Sequence, residues 1–85
     1  MATSIKQIQG ATERVNAVSD ETVLTPSEIV NIVKNKQIVP SVFSLYRFIK
    51  RGALKAVNLG TEDEPRYHIK GRDLKRFFKE RYGNI

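Results

Sequence analysis

The hydrophobic period of the sequence changes at Gly52, inside the stretch LYRFIKRGALKAVNLG (residues 45–60). Before the glycine the apolar residues are spaced as on one face of a helix, and after it they alternate as in a β-strand. They are Leu45, Phe48 and Ile49 before it, and Leu54, Ala56 or Val57, and Leu59 after it. Because glycine favours the left-handed conformation that ends helices, the stretch predicts a helix followed at once by a strand, and hence an α+β fold.

The same stretch carries four cationic side chains and no acidic one. They are Arg47, Lys50, Arg51 and Lys55. Such a cluster is either a solvated face or a surface that holds an anion. Residues 1–24 carry a net charge of −1, whereas residues 25–85 carry thirteen Lys or Arg against six Asp or Glu, a net +7. The basic character therefore belongs to the C-terminal part, and it favours an acidic partner.

The size of the chain limits how it can be stabilised. With 85 residues and no cysteine, one small domain must fold by packing alone, without a disulfide or a thiolate zinc site. No apolar run approaches the ~20 residues that span a bilayer, and the N-terminal segment lacks the apolar centre of a signal peptide. We expect a cytoplasmic protein with no membrane contact.

Residues 1–22 predict a flexible N-terminal arm. Their aliphatic side chains are thinly spread and keep only a loose helical spacing. These side chains are Ile5, Ile8, Ala11 and Val15. Gly10 and the lack of a strong cap argue against a stable helix, and termini with little to bury usually fray. We therefore place the folded domain at residues 23–83.

Three helices and a hairpin are predicted within that domain. In LTPSEIVNIVK (24–34), Thr25 and Glu28 form a capping box with proline at the first helical position, which predicts a helix from about Pro26 to Lys34. The connector NKQIVPS ends in Pro40, which disfavours helix before it, and Ser41, a good cap. A second helix is expected at Val42–Arg51. The segments 54–59 and 66–69 predict a β-hairpin with a polar tip, and 71–83 predicts a third helix that buries Leu74, Phe77 and Phe78.

This ordered set of motifs resembles a known family. The resemblance covers residues 24–81, and its most telling pieces, LTPSE, LYRFIKRGAL and YHIKGRDLKRF, are similar to the MerR-like winged helix-turn-helix of phage and transposon excisionases. Small developmental regulators of the BldC kind and some phage terminase small subunits carry the same module. The resemblance implies a small winged helix-turn-helix: helix, helix, β-hairpin wing, helix.

The resemblance also implies a function, namely sequence-specific binding of double-stranded DNA, and with it association with the nucleoid. Its leading form is an excisionase-like recombination directionality factor of a mobile element, which self-associates on tandem sites, bends DNA and works beside an integrase or another phage protein. Alternatives are a small transcriptional regulator or a packaging adaptor with the same DNA-binding head. An alternative of another class is a basic protein-interaction module. None of these functions is enzymatic or needs a cofactor.

Eight residues are predicted to contact DNA. They are Ser41, Phe43, Ser44, Arg47, Lys50, Arg51, Lys55 and Arg66. The second helix would enter the major groove, where the Arg47 guanidinium can bond O6 and N7 of guanine together and Phe43 can meet a thymine methyl. The two serines suit bases or phosphates. The other cations, including Lys55 and Arg66 on the hairpin, suit phosphates, which position a protein without conveying sequence.

The hairpin tip departs from the family pattern, since Glu62, Asp63 and Glu64 would be repelled by a DNA backbone. Catalytic and metal-binding patterns are lacking, because the sequence has no phosphate loop, no dinucleotide-binding turn and no cysteine. His68 is the only histidine and has no companions for a ligand or base role. We therefore expect no catalytic residue, no cofactor and no metal.

Overall fold

The computed structural model describes residues 5–83, which form a small α+β fold. In chain order the elements are α1 (Ile5–Asn16), β1 (Val23–Leu24), α2 (Pro26–Val33), α3 (Val42–Lys50), β2 (Val57–Asn58), β3 (Tyr67–Lys70) and α4 (Gly71–Tyr82). The three strands form one antiparallel sheet in the order β1-β3-β2. The α+β class expected from the sequence is confirmed.

The sheet has β3 at its centre. Leu24 pairs with Ile69 on one side of β3, and Val57 pairs with His68 on the other. Leu24 and Ile69 are both buried, so this face of the sheet packs on the helices. The hairpin β2–β3 was predicted, whereas β1 was not, because a strand of two residues is too short to show an alternating pattern.

α2 begins and ends as its sequence indicates. The Thr25 hydroxyl accepts a bond from the Glu28 amide at 3.3 Å, and the Glu28 carboxylate accepts one from the Thr25 amide at 3.0 Å. The helix ends at Lys34, whose φ of 53° is left-handed. The predicted capping box is confirmed, and it satisfies two amides that the helix itself cannot pair.

The other two predicted helices are also present. α3 buries Leu45 completely and Phe48 and Ile49 in part, and Gly52 follows it with a φ of +80°. α4 buries the three predicted apolar residues Leu74, Phe77 and Phe78. The long connector between α2 and α3 is held by its own side chains, because Ile38 and Val39 are buried in the core.

The predicted flexible arm is wrong for residues 5–22, and residues 1–4 of it lie outside the described residues. Residues 5–16 form α1, which packs against α2 and α4 and buries Ile8, Ala11 and Val15. Arg14 reaches the end of α2, where its guanidinium donates to the Val33 carbonyl at 2.6 Å. Packing on two helices stabilises a segment whose own helix propensity is weak.

The hydrophobic core is continuous from α1 to α4. Its buried members are Ile8, Ala11, Val15, Leu24, Ile29, Val33, Ile38, Val39, Leu45, Leu54, Ile69, Leu74, Phe77 and Phe78. No described polar or charged residue is buried with them. The charged side chains of the described residues therefore all lie at the surface, where a partner can reach them.

Gly71 at the start of α4 has no room for a side chain, because a Cβ there would lie 2.0 Å from the Ser19 carbonyl oxygen. Its amide donates to the Thr22 carbonyl at 2.7 Å, so the helix and the α1–β1 connector are in direct contact. We expect Gly71→Ala to lower the free energy of unfolding by about 1–3 kcal/mol, as for other overpacked sites. Urea denaturation measures the change, and Gly10→Ala is its control, since a Cβ at Gly10 meets only the Arg14 side chain at 3.5 Å. An equal effect of the two substitutions would contradict this role of Gly71.

Candidate nucleic-acid interface

α3 presents a cationic face to solvent on the side opposite its buried Leu45. Its exposed members are Phe43, Arg47 and Lys50, with Arg51 just after the last turn. No residue of the helix is acidic. None of these cations forms an ion pair with any residue from 5 to 83. The three positive charges are therefore free to attract a polyanion.

The N-terminus of α3 is left open by its cap residue. Ser41 has the extended backbone of a cap, with φ −163° and ψ 172°, but its hydroxyl makes no capping bond. Ser41 and Ser44 are both half-buried. Because the first amides of a helix have no partner within the helix, this end of α3 can donate hydrogen bonds to phosphate oxygens.

The C-terminus of α3 is closed by the residues that follow it. The amides of Ala53 and Leu54 both donate to the Phe48 carbonyl, at 2.9 and 3.2 Å. Leu54 is buried and anchors the chain as it leaves toward the sheet. The positive φ of Gly52 permits this sharp reversal. As a result, Arg51 lies beside the end of α3, whereas Lys55 lies on the segment that leads from α3 to the sheet.

A small cavity of about 140 Å³ lies on the α3 surface and is lined by Ser44, Arg47, Phe48 and Arg51. Arg47 and Arg51 are four residues apart and so share one side of the helix. Two guanidinium groups beside a hydroxyl are well suited to a phosphate group, which accepts several charge-assisted hydrogen bonds. Three of the predicted DNA-contacting residues are therefore brought together here.

Arg81 is a further cation at this surface that the sequence interpretation did not place there. Its guanidinium carbon lies 4.4 Å from the centre of the Phe48 ring, and Phe48 packs on Phe77 at 5.0 Å between ring centres. The spacing of four residues between Arg81 and buried Phe77 was the available signal, because residues at that spacing lie on the same side of a helix.

Aromatic contacts connect α3 to the hairpin. The Tyr46 ring lies 5.5 Å from that of Tyr67 on β3 and 6.0 Å from that of Phe43, measured between ring centres. Phe43 remains 67% exposed. Arg66, also exposed, precedes Tyr67 at the base of the returning strand. These contacts hold the hairpin against α3 and leave the Phe43 ring of the helix largely exposed to solvent.

Lys55 is not grouped with the α3 cations. It is exposed and lines two grooves, one along α4 with Arg76 and one of about 210 Å³ on the sheet with His68 and Lys70. Arg47 lines a different cavity, the one that it shares with Ser44, Phe48 and Arg51. The His68 side chain is half-buried, and its Nδ1 atom has no hydrogen-bond partner.

The acidic tip of the hairpin has a defined conformation. The Thr61 hydroxyl accepts a bond from the Glu64 amide at 2.9 Å, and the Asn58 carboxamide oxygen accepts bonds from the Gly60 and Arg66 amides at 2.9 and 3.0 Å. Position 60 has no space for a side chain, since a Cβ there would lie 2.3 Å from the Glu64 carbonyl oxygen. The carboxylates of the tip, on Glu62, Asp63 and Glu64, are all exposed.

α4 carries a second basic surface, part of which is paired within the chain. Lys75 donates to Asp20 at 2.7 Å, and Arg72 forms an ion pair with Glu21. The hydrogen bond and positive charge of Lys75 lower the pKa of Asp20 below its ordinary value. These pairs bind the α1–β1 connector to α4. Because all four side chains are at least partly exposed to water, the pairs add little to stability.

Among residues 5–83, no group of three or more histidine, cysteine or acidic side chains is arranged to hold a metal ion. None of the helices they form is long and apolar enough to cross a membrane. Comparisons with models of protein families, with curated proteins and with solved structures found no match to this chain.

Proposed function

We propose that this protein binds double-stranded DNA in a sequence-specific manner, with α3 as the recognition helix. The observation that carries the proposal is the exposed face of α3, where Arg47, Lys50 and Arg51 are unpaired with any described residue and Phe43 is 67% exposed. Free cations supply the electrostatic attraction to phosphates. An arginine and an exposed aromatic ring supply contacts that differ between bases.

The order of the elements supports a winged helix-turn-helix as the frame for this binding. α2 and α3 follow one another, and the β2–β3 hairpin comes next and contacts α3 through Tyr46 and Tyr67. In such a frame the first helix supports the second, which enters the major groove. The hairpin then lies beside the groove, with Arg66 near its base as the contact to a flanking phosphate.

The proposed DNA contacts differ according to where they lie in the winged helix-turn-helix. Arg47, Arg51 and Ser44 line one cavity of about 140 Å³ on α3, where a base edge or a phosphate can be held. Lys55 lies in other grooves and acts only through its charge, toward a phosphate. Arg81, held over Phe48, adds a second phosphate contact from α4.

The biological role that we propose first is that of an excisionase-like recombination directionality factor. A recognition helix of nine residues contacts few base pairs, so useful specificity requires several copies on repeated sites, and such assemblies bend DNA. A small transcriptional regulator or a packaging adaptor would use the same surface. The proposed activity is binding alone, and it calls for no catalytic group or cofactor.

Selection from a pool of random duplexes tests the proposal directly. We expect the full chain to enrich a short motif and to bind it at least about 10³-fold more tightly than a random duplex at physiological salt, the low end for specific DNA-binding proteins. Equal and weak binding of selected and random duplexes would contradict the proposal. It would instead favour the alternative, a basic module that binds an acidic protein.

A further inference from the structure

We propose that the cleft between α1 and α4 binds the acidic hairpin tip of a second copy of this chain. The cleft has a volume of about 430 Å³. It is lined by Thr12 and Asn16 of α1, by Arg72, Lys75, Arg76 and Lys79 of α4, and by Phe78 and Gly83. Four cations border it. Arg72 and Lys75 are paired with Glu21 and Asp20, whereas Arg76 and Lys79 have no ion-pair partner among the described residues, and these two favour an anionic ligand.

The chain already docks one acidic segment of its own on α4. In the segment Ser19-Asp20-Glu21-Thr22, the two carboxylates pair with Lys75 and Arg72. The Arg72 amide also donates to the Asp20 carbonyl at 3.2 Å. The first turns of α4 therefore bind a short peptide in which two acidic residues lie between hydroxyl residues.

The next turn of α4 repeats the same pair of cations without a partner. Arg76 and Lys79 each follow Arg72 and Lys75 by four residues, and so present the same side of the helix. Both are exposed, and neither pairs with a carboxylate in residues 5–83. Arg76 also borders the neighbouring groove that contains Asp73 and Glu80. The cleft thus has room and charge for a second acidic segment.

The hairpin tip has the chemistry that this site requires. Its sequence Thr61-Glu62-Asp63-Glu64 again places acidic residues next to a hydroxyl residue, as in the segment that α4 already holds. The hydrogen bonds of Thr61 and Asn58 set its conformation before binding, which reduces the entropy lost on docking. No ion pair joins the tip to any other described residue, so its carboxylates are free for a neighbour.

Such a contact joins two different surfaces of identical chains and is therefore head-to-tail. A contact of this kind can continue from copy to copy in an open row. Exposed ion pairs are individually weak and are screened by salt, so association in solution is weak. On DNA, neighbouring copies are held close together, which raises their effective concentration. The assembly of neighbouring copies on DNA rests on the proposed DNA binding, whereas the docking of the hairpin tip in the cleft does not.

Charge exchange between the two surfaces tests the docking without DNA. At about 1 mM protein, where contacts of millimolar Kd are populated, sedimentation velocity at low salt is expected to show association of the full chain. Arg76→Glu with Lys79→Glu should remove it, and so should Glu62→Lys with Glu64→Lys. An equimolar mixture of the two double variants should restore it, because each tip then meets a cleft of opposite charge.

A matched control and three outcomes decide the proposal. Lys6→Glu with Lys36→Glu makes the same change of net charge at exposed positions away from both surfaces, and it should leave association in place. A monomeric wild type, association that survives Arg76→Glu with Lys79→Glu, or a mixture that fails to associate would each overturn the proposal. Far-UV circular dichroism verifies that each variant remains folded. If the charge reversals unfold the chain, alanine at the same positions replaces them, with loss of association still expected.

Binding to a duplex with one site separates this proposal from the proposed function. We expect the cleft variant to bind it as well as the Lys6 and Lys36 control does, within about twofold, because the cleft contacts no phosphate in this scheme. A larger loss, with a smaller salt dependence, would mean that the cleft holds DNA, which overturns the docking and leaves DNA binding intact. Conversely, failure to bind any duplex would leave the self-association measurement valid.

Discussion

Deletion of residues 1–22 is expected to leave a chain that does not fold. The deletion removes Ile8, Ala11 and Val15 from the core, and with them one side of the support for α2 and α4. Loss of a single large core side chain costs about 2–5 kcal/mol, and a whole domain is stable by only about 5–15 kcal/mol. Far-UV circular dichroism and a thermal melt of the truncated chain measure the result. Retention of a cooperative melt would contradict it, and would favour the flexible arm predicted from the sequence.

Two isoleucines on α1 provide a matched pair for the same question. Ile8 is 9% exposed and belongs to the core, whereas Ile5 is 60% exposed on the same helix. We expect Ile8→Ala to lower the free energy of unfolding by about 2 kcal/mol or more, and Ile5→Ala to change it by less than about 0.5 kcal/mol. Both substitutions replace isoleucine by alanine, the better helix former, so a large loss of stability at Ile8 alone reports its packing. Equal effects would mean that α1 does not pack as described.

The contrast between α1 and α2 shows which helices a sequence reveals. α2 has a capping box and proline in its first turn, and all of these signals lie within a few residues. α1 contains Gly10, and its aliphatic side chains are thinly spread, so local signals were against it. It is a helix because its buried side meets α2 and α4, a long-range condition that no short segment contains.

The same distinction holds for the sheet. The hairpin was predictable from two alternating segments joined by a polar turn. β1 consists of two residues and is defined as a strand by its pairing with β3, which lies about 45 residues later in the chain. The register Leu24 with Ile69 follows from burial of both side chains, and burial depends on the assembled helices.

For the candidate interface, the sequence identified the residues and the structure grouped them. Periodicity placed Arg47 and Arg51 on the outward side of α3, opposite Leu45. It could not show that Lys55 departs toward the sheet, since this depends on the reversal at Gly52 and the burial of Leu54. Nor could it bring Arg81 over Phe48, because that contact joins two helices far apart in the chain.

Replacement of Arg47, Lys50 and Arg51 together by alanine is expected to abolish detectable DNA binding at physiological salt. If each cation neutralises one phosphate, the slope of log affinity against log salt falls in magnitude by about 0.9 for each, or by nearly 3 in all. The duplex selected from the random pool is the probe, and fluorescence anisotropy between 50 and 200 mM salt is the measurement. Because all three side chains are exposed, the variant should keep the stability of the wild type.

Removal of three exposed cations elsewhere is the control for net charge. Lys6→Ala, Lys36→Ala and Lys34→Asn, the last chosen because asparagine tolerates the left-handed backbone there, lower the charge equally but leave α3 intact. We therefore expect a much smaller loss of affinity. Comparable losses for the two triple variants would show that binding depends on overall charge alone, and would contradict recognition by α3.

Single substitutions then separate base recognition from phosphate contact. Arg47→Ala should weaken binding to the selected duplex more than to random duplexes, by about 1–3 kcal/mol for a lost contact to one base. Lys55→Ala should weaken both alike, since a phosphate contact carries no sequence information. The opposite pattern, with preference lost only in Lys55→Ala, would place recognition on the hairpin instead of α3. A loss shared equally by Arg47→Ala and Arg51→Ala on all duplexes would mean that their cavity holds a phosphate, and base recognition would then fall to Phe43 and Lys50.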